Sequence, residues 1–510
     1  MRWIRRVATG IGGLILLVMS VVVLGLAIRW IQVQFFYEPL GGEHSKQKSA
    51  YLDALALRAD SLPEDSERPP NIIVVLFDDL GWGDLSIHGN KLIRTPHIDR
   101  AAALGLRMTG FYSASPVCTP SRAALLTGRY PIRSHTQNHV FFSESSPIAT
   151  VRKMLGQGNE LPRDEILIPE ALGAAGYATG MVGKWHLGGI PGHLPNDFGF
   201  ESYFGVLTSN DMQPLHIYRD GQIEVRDETP RLRLGAFRDE DVDVTMKGVD
   251  QRFLTRRYTE EAIRFVEENR NRPFFLYLAH TFPHVPHFAD PDHEGESPGG
   301  VYGDVVEDLD RSTGRLLAAI DRLGLADNTV VLITSDNGAD YNGSPGFLRG
   351  RKGEVYEGGQ RVPMIVLWPG RVAPGRMTKE MAMNIDLFPT FLAMAGVPLP
   401  TDREIDGRDL SRLILDEGSG GSGQNAGSPH ERLFYFPVIR GDQPVAVRNS
   451  RFKYRVATGD TGRDKPTLTD VHRDQENHNL IRRYPEQGAS LARALESFSQ
   501  ELAGNPRGWR

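Results

Sequence analysis

Cysteine is nearly missing from this chain. Cys118 is the one thiol in 510 residues, so no intrachain disulfide can form and the fold must rest on packing even if the body is exported. Charge of one sign is missing as well. Lys and Arg total 58 against 64 Asp and Glu, a net of -6, which removes the electrostatic case for nucleic acid as a partner, and no RNA- or DNA-binding motif is present. HExxH and CxxC are both absent, which disfavours zinc. No internal repeat is visible, and 40% hydrophobic with 24% charged residues excludes a disordered, collagenous or coiled-coil chain. Glycine and proline, in contrast, are plentiful at 54 and 33, as in a globular protein rich in loops. At this length, two domains or one large α/β core with an appended unit is expected.

The N-terminus carries the longest uncharged run. MRWIRR leads into residues 7–28, which are long enough to span a bilayer, and the arginines before them favour a cytoplasmic tip. The expectation is a tip and transmembrane helix over 1–28, with the lipid bilayer as a partner through residues 7–28. The body would then be extracytoplasmic (periplasmic or extracellular) on a single-pass protein, and the lack of disulfides points to a bacterial source. Cleavage of the same segment as a signal peptide would give a secreted form.

Residues 29–70 read as a membrane-proximal stalk with a short helix around YLDALALRAD. The body begins at NIIVVLFDDLG, whose apolar run Ile72 to Phe77 predicts a buried strand. Further strands are predicted near 177–184, 273–280, 329–338 and 362–370, with amphipathic helices at 258–269, 305–325 and 383–397. Apolar strands alternating with such helices predict an α/β fold, a large mostly parallel or mixed sheet sandwiched by helices. Ligands of such sheets bind at the carboxyl ends of the strands. The main body spans 71–415, a Gly/Ser-rich linker 416–430, and a smaller C-terminal antiparallel sheet with a closing helix 431–510.

Two strand ends are rich in oxygen: Asp78 and Asp79 after the first, and Asp336 and Asn337 within SDNG after the fourth. Carboxylates with an amide oxygen favour calcium or magnesium over a soft metal, although paired aspartates in a turn also act as caps. CTPSR places Cys118 just before a short helix predicted from about Pro120, with Arg122 within about one turn of it. A lone cysteine is ordinarily a small buried hydrophobe; beside a helix start and an arginine it is also a candidate nucleophile. Lys184 and His186 lie two apart, on one side of an extended segment. His280 ends a predicted strand, and histidine can protonate a leaving oxygen near neutral pH; His284 and His287, which follow it, read as structural or surface residues. Lys352 sits in a Gly-rich loop. Cations beside a divalent ion imply a substrate with a small multi-oxygen anion, sulfate or phosphate.

CTPSR followed by AALLTGR resembles the signature of the type I, formylglycine-dependent sulfatases. IIVVLFDDLGWGD, GKWHLG, HTFPHVPH, SDNG and GRKGEVYEGGQRVP follow the family's order over about residues 70–460. The resemblance implies an arylsulfatase-like branch of the alkaline-phosphatase-like superfamily. It further implies that a maturation enzyme oxidises Cys118 to formylglycine on the unfolded chain. Asp78, Asp79, Asp336 and Asn337 would bind calcium (or magnesium) together with residue 118. One hydroxyl of the aldehyde hydrate would attack sulfur and expel the alcohol, and the other would collapse the covalent sulfate to release the aldehyde and inorganic sulfate. In that scheme Arg122 orients formylglycine, Lys184 and Lys352 hold sulfate oxygens, His186 assists at the hydrate, and His280 is the general acid. A further polar sulfate contact falls after GKWHLG, where Ser209 and Asn210 are nearby. The substrate implied is a sulfate-ester small molecule or a sulfated glycan, and Arg231, Arg233 and Arg238 are candidates for greeting an acidic sugar. The alternatives are a formylglycine-dependent phosphonate monoester or phosphodiester hydrolase, and a non-catalytic sulfated-glycan binding protein.

Overall fold

The computed structural model describes residues 2–61, 68–138, 140–228, 249–415, 427–438, 441–457, 465–473 and 475–510, without the side chains of 2–17 and 34. Arg231, Arg233, Arg238 and most of the Gly/Ser linker lie outside the described residues.

Sixteen strands are described: β1 Asn71–Phe77, β2 Leu106–Met108, β3 Phe111–Tyr112, β4 Ala178–Lys184, β5 Ser202–Val206, β6 Ile217–Arg219, β7 Gln222–Val225, β8 Phe274–Ala279, β9 Thr329–Ser335, β10 Met364–Leu367, β11 Arg376–Thr378, β12 Ala382–Met383, β13 Leu433–Tyr435, β14 Ala446–Arg448, β15 Phe452–Arg455 and β16 Thr467–Asp470. Ten of them form one sheet in the order β11-β2-β10-β9-β1-β8-β4-β5-β6-β7. Its centre, β9-β1-β8-β4-β5, is parallel, while β10, β6 and β7 add antiparallel partners toward the edges. Parallel strands need helical crossovers, and those helices cover both faces.

The alternation of β1 shows how the layers form. Ile72, Val74 and Leu76 pack on one side with Ala123, Leu125 and Leu126 of the helix Cys118–Thr127 and with Phe388 and Phe391 of the helix Leu387–Met394. Ile73, Val75 and Phe77 pack on the other with Tyr258 and Val266 of the helix Leu254–Glu268 and Leu309 and Leu316 of Gly300–Arg322. Every residue of β1, β4, β8 and β9 is buried, as a strand covered on both faces requires. This is the alkaline-phosphatase-like α/β sandwich. Beside it stands the small antiparallel sheet β13-β14-β15-β16, with the helix Pro485–Gly504 packed on it through Leu491 and Leu495.

The transmembrane helix expected over 7–28 requires correction. Among the described residues no helix is long and apolar enough to cross a membrane. A helix runs Arg2–Phe36. Arg29 then turns to the body and donates from Nε to the Met154 carbonyl at 3.1 Å. The bilayer as a partner through residues 7–28 and the single-pass topology fall with the span. The segment expected as a stalk also lies on the body: the helix Ser45–Asp60 sends Lys48 to Glu170 at 2.5 Å and to the Glu165 carbonyl at 2.7 Å.

The chain's last residues fold back into a buried ionic cluster. Arg129 Nη1 reaches both Glu165 oxygens at 2.8 and 2.7 Å, Arg507 Nη2 reaches Asp164 at 2.7 Å and Glu165 at 3.0 Å, and Arg403 pairs with Asp402 at 2.8 Å. All three guanidinium groups lie over the Trp509 ring, 4.5 to 4.9 Å from its centroid.

Candidate active site

The central parallel strands deliver polar residues at their carboxyl ends. β1 ends in Asp78 and Asp79, β9 in Asp336 and Asn337, and β4 in Lys184 followed by His186. Adjacent side chains on a strand point to opposite faces, so Asp78 and Asp79 would ordinarily diverge. A left-handed φ of 66° at Asp79 breaks the alternation, and both carboxylates meet Cys118 Sγ, Asp78 Oδ1 at 3.3 Å and Asp79 Oδ1 at 3.9 Å. Such a conformation costs about 1–3 kcal/mol and is held by its surroundings. The Asp79 amide donates to Asp336 Oδ1 at 3.1 Å and the Leu80 amide to Ser335 Oγ at 3.0 Å.

Cys118 opens the helix Cys118–Thr127, which closes at Gly128 with φ 72°. The sequence placed it just before the helix; it is instead the first helical residue. Its exposure is 1%, and burial followed by the charge of Asp78 raises its pKa well above the usual thiol value. As encoded, this is therefore a poor nucleophile. Arg122, one turn on, donates from Nε to Asp336 Oδ2 at 2.9 Å and from Nη1 to the Lys184 carbonyl at 2.8 Å, with Nη2 3.5 Å from Asp78. Lys184 Nζ holds Asp78 and approaches Ser209 Oγ at 3.1 Å, and Lys352 Nζ holds Asp79 Oδ2 at 2.6 Å.

Three carboxylates thus face three cations inside the protein, and the carboxylates still crowd one another. One ligand atom each from Asp78, Asp79, Cys118 and Asp336 lies within 4.8 Å of all the others. Burial works to raise the pKa of Asp78, but Lys184 and Arg122 outweigh it and hold the carboxyl well below the usual range. Asp336 is pushed up to about 7 by burial and by the negative charge of Asp78, against Arg122. Asn337 Nδ2 donates to Asp79 Oδ1 at 2.8 Å, while its Oδ1 is buried without a hydrogen-bond partner. Crowded carboxylates plus an orphaned amide oxygen are the donor set of a hard cation. The residues present fit calcium, and a divalent ion would leave the site positive overall, as an anionic substrate requires.

His186 borders this cluster. Its carbonyl accepts from Thr119 Oγ1 at 2.9 Å, its Nε2 faces the Phe141 carbonyl at 2.9 Å, and its Nδ1 is buried and unpartnered. Burial, then Lys184 and Arg122, lower its pKa well below the ordinary value, which keeps the ring neutral with an open lone pair on Nδ1.

His280 stands apart from the cluster. It follows β8 as expected, but its ring packs on Phe77 and Tyr258 and its Nε2 lies 3.3 Å from Ser312 Oγ on the helix Gly300–Arg322. Those partners belong to the layer opposite the Cys118 helix. Burial lowers its pKa to about 3. The histidine that reaches the cluster is His284, read from sequence as structural: Nε2 stands 3.7 Å from Asp79 Oδ2, and Nδ1 bonds the Val285 carbonyl at 2.6 Å. His287 faces the Pro283 carbonyl at 3.0 Å and the Tyr302 ring. Of the two neighbours of GKWHLG, Ser209 meets Lys184, whereas Asn210 bonds the Pro286 carbonyl at 3.3 Å. Asp84, inside the first motif but not singled out there, accepts from the Gly81 and Ser344 amides at 2.7 and 2.8 Å and from Tyr302 Oη at 2.6 Å, tying the first strand's loop to the loop that carries Lys352.

The family model described as Sulfatase matches residues 70–397, the span that builds this cluster. The chain belongs to the sulfatase family. A second model, N-sulphoglucosamine sulphohydrolase, C-terminal, matches residues 349–498. The sulfatase is 38% identical over 439 residues to steryl-sulfatase of Rattus norvegicus, covering 72% of this chain and 73% of that protein. To arylsulfatase A of Homo sapiens it is 36% identical over 452 residues, covering 81% and 84%. Among solved structures, a Bacteroides thetaiotaomicron protein from a locus for metabolism of multiple glycosaminoglycans superposes with a TM-score of 0.72 at 27% identity, covering 85% of this chain and 100% of that one. The enzyme is a sulfuric ester hydrolase. It hydrolyses a sulfate ester to an alcohol or phenol and inorganic sulfate through a formylglycine nucleophile derived from Cys118, with calcium at the Asp78, Asp79 and Asp336 cluster.

Proposed function

We propose that Asp78, Asp79, Asp336 and Asn337 hold calcium beside residue 118, and that Arg122, Lys184, His186, His284, Lys352 and Ser209 divide the work on the sulfate group. The ion, when bound, lowers the pKa of the formylglycine hydroxyl and offsets charge on the sulfuryl oxygens. Arg122 fixes Asp336 and Asp78 in their orientations through its buried fork. Lys184 and Lys352 enter from opposite sides, on Asp78 and Asp79, and offer their remaining donors to sulfate oxygens, with Ser209 Oγ beside Lys184.

The two histidines take opposite parts. His186 is neutral with Nδ1 open, the state of a base that accepts a proton from the hydroxyl of residue 118. His284 holds the Val285 carbonyl through Nδ1, so Nε2 is the atom that hands a proton to the leaving oxygen, between Asp79 and Lys352. The catalytic body over 71–415 carries these groups, the linker spans 416–430, and the subdomain over 431–510 walls the site beside the Lys352 loop.

The observation that carries this reading is the convergence of three carboxylates on Cys118 with an unpartnered Asn337 oxygen. The test begins with the mass of the tryptic peptide Met108 to Arg122 from matured protein, where conversion to formylglycine lowers the mass by about 18 Da. Parallel kinetics follow on an aryl sulfate and a phosphodiester. An unconverted cysteine throughout the native population, or a preference for the phosphodiester, refutes the proposal.

A further inference from the structure

Thr119 has no part in the scheme above, yet it adjoins Cys118 in the chain and its buried hydroxyl is engaged on both sides. Oγ1 donates to the His186 carbonyl at 2.9 Å and accepts from the Phe141 amide at 3.0 Å. A carbonyl only accepts and an amide N–H only donates, so the one hydroxyl proton points at His186 and the lone pair faces Phe141. Phe141 then closes a ring of hydrogen bonds, because its carbonyl lies 2.9 Å from His186 Nε2. That carbonyl also only accepts. Nε2 therefore carries the ring proton, and in the neutral imidazole the buried, unpartnered Nδ1 keeps the lone pair. A single hydroxyl thus grips both the backbone of His186 and the residue that selects its tautomer.

The histidine needs such a grip. Its φ of 61° is left-handed, a conformation that a residue with a Cβ keeps only when its surroundings hold it. The His186 amide donates to the Leu207 carbonyl at 3.0 Å, and Thr119 holds the carbonyl at the other end of the same residue. The Phe141 side is anchored one residue further on, where Asn159 accepts from the Phe142 amide at 2.9 Å and donates to the Phe142 carbonyl at 2.8 Å. Without the Thr119 hydroxyl, Phe141 is free to turn about that anchor and carry its carbonyl away from Nε2.

We propose that Thr119 is a positioning residue: by clamping His186 and Phe141 together it keeps the imidazole in the Nε2-protonated tautomer, with Nδ1 open to the hydroxyl of residue 118. The inference rests on His186 acting as the base and adds what fixes it in that state.

Four matured proteins, Thr119→Val, Thr119→Ser, His186→Ala and the double variant Thr119→Val with His186→Ala, are compared with the parent on 4-nitrophenyl sulfate. Because residue 119 adjoins the converted cysteine, each rate is divided by the formylglycine fraction found in peptide 108–122. Valine should lower kcat by about 10- to 100-fold with KM within about twofold, since the lysines that hold sulfate are untouched, and serine should restore kcat to within about threefold of the parent. The double variant should match His186→Ala within about twofold, because a residue that acts through His186 has nothing left to act on. Parent-like kcat in Thr119→Val, a loss that serine does not restore, or losses that multiply in the double variant overturns the clamp. His186→Ala at the parent rate refutes instead the base reading beneath it. A readout free of activity and of maturation uses unconverted protein labelled with 15N-histidine, in which the His186 signals are those that vanish in His186→Ala. The ring proton should sit on Nε2 in the parent and be shared between both nitrogens in Thr119→Val. A proton on Nδ1 in the parent, or an unaltered tautomer in the valine variant, overturns the proposal.

Discussion

Two buried clusters in this molecule each contain three acids and three cations, and they differ in what faces what. At the strand ends, Asp78, Asp79 and Asp336 meet Arg122, Lys184 and Lys352; at the tail, Asp164, Glu165 and Asp402 meet Arg129, Arg403 and Arg507. In the tail each acid looks at a guanidinium. Burial raises the pKa of Glu165, but Arg129 and Arg507 more than reverse it and the net shift is downward. At the strand ends acids look at acids as well, and Asp336 is pushed up to about 7 by burial and by Asp78. Like charges whose repulsion is left unmet inside a protein mark a site arranged for something absent from the sequence, here a cation; where arginines more than offset it, as between Asp164 and Glu165, the cluster is a brace.

The sharpest way to break the comparison is to remove an element of each. Cys118→Ala should reduce sulfate-ester turnover to background with the fold intact, measured as aryl sulfate hydrolysis beside circular dichroism. His284→Ala should slow turnover by about 10² to 10⁴, most for poor leaving groups, whereas His280→Ala should leave leaving-group dependence unchanged. If the leaving-group slope changes with His280 and not with His284, the two histidines have been assigned the wrong way round. Glu165→Ala leaves the buried Arg129 guanidinium without its carboxylate and should cost about 3–5 kcal/mol of stability in denaturant unfolding, with kcat per folded molecule preserved. Calcium should raise the unfolding free energy of the wild type by about 2.7 kcal/mol at a hundred times its dissociation constant, and that gain should vanish in Asp336→Ala but persist in Glu165→Ala.

Asp84 supplies the pH test. Burial pushes its pKa up from 3.8 to about 7, against the hydrogen bonds from Tyr302, Gly81 and Ser344. A folded value above the unfolded one means the protonated carboxyl favours the fold. Its contribution is complete below about pH 4 and is lost as pH rises through about 7. Asp84→Asn should flatten that part of the stability curve, read as unfolding midpoint against pH.

Much of this was legible because strand ends are legible. Apolar runs closed by Asp-Asp-Leu-Gly and Ser-Asp-Asn-Gly announced β1 and β9, and the parallel sheet brings their ends together. Ser209, one of the two residues named after GKWHLG, obeys the same rule, lying three residues beyond β5, which is β4's parallel neighbour. His280 and His284 after β8 were not separable, because the first residue past a strand inherits that strand's packing layer while the fifth depends on a turn that no periodicity describes. The uncharged N-terminal run was read from hydropathy alone, and among the described residues no helix is long and apolar enough to cross a membrane.

Cys118 offers a last consequence. Its side chain is sealed beneath residues that come much later in the chain: Asn384 Nδ2 donates to Ser121 Oγ at 2.8 Å, Ser121 Oγ bonds the Asp336 carbonyl, and the Gly407 amide closes on the Gly128 carbonyl at 3.0 Å. No maturation enzyme can reach a thiol that is 1% exposed, so oxidation and folding run as a race with one start and no rematch. Each molecule is committed as active or inert for life during its own synthesis.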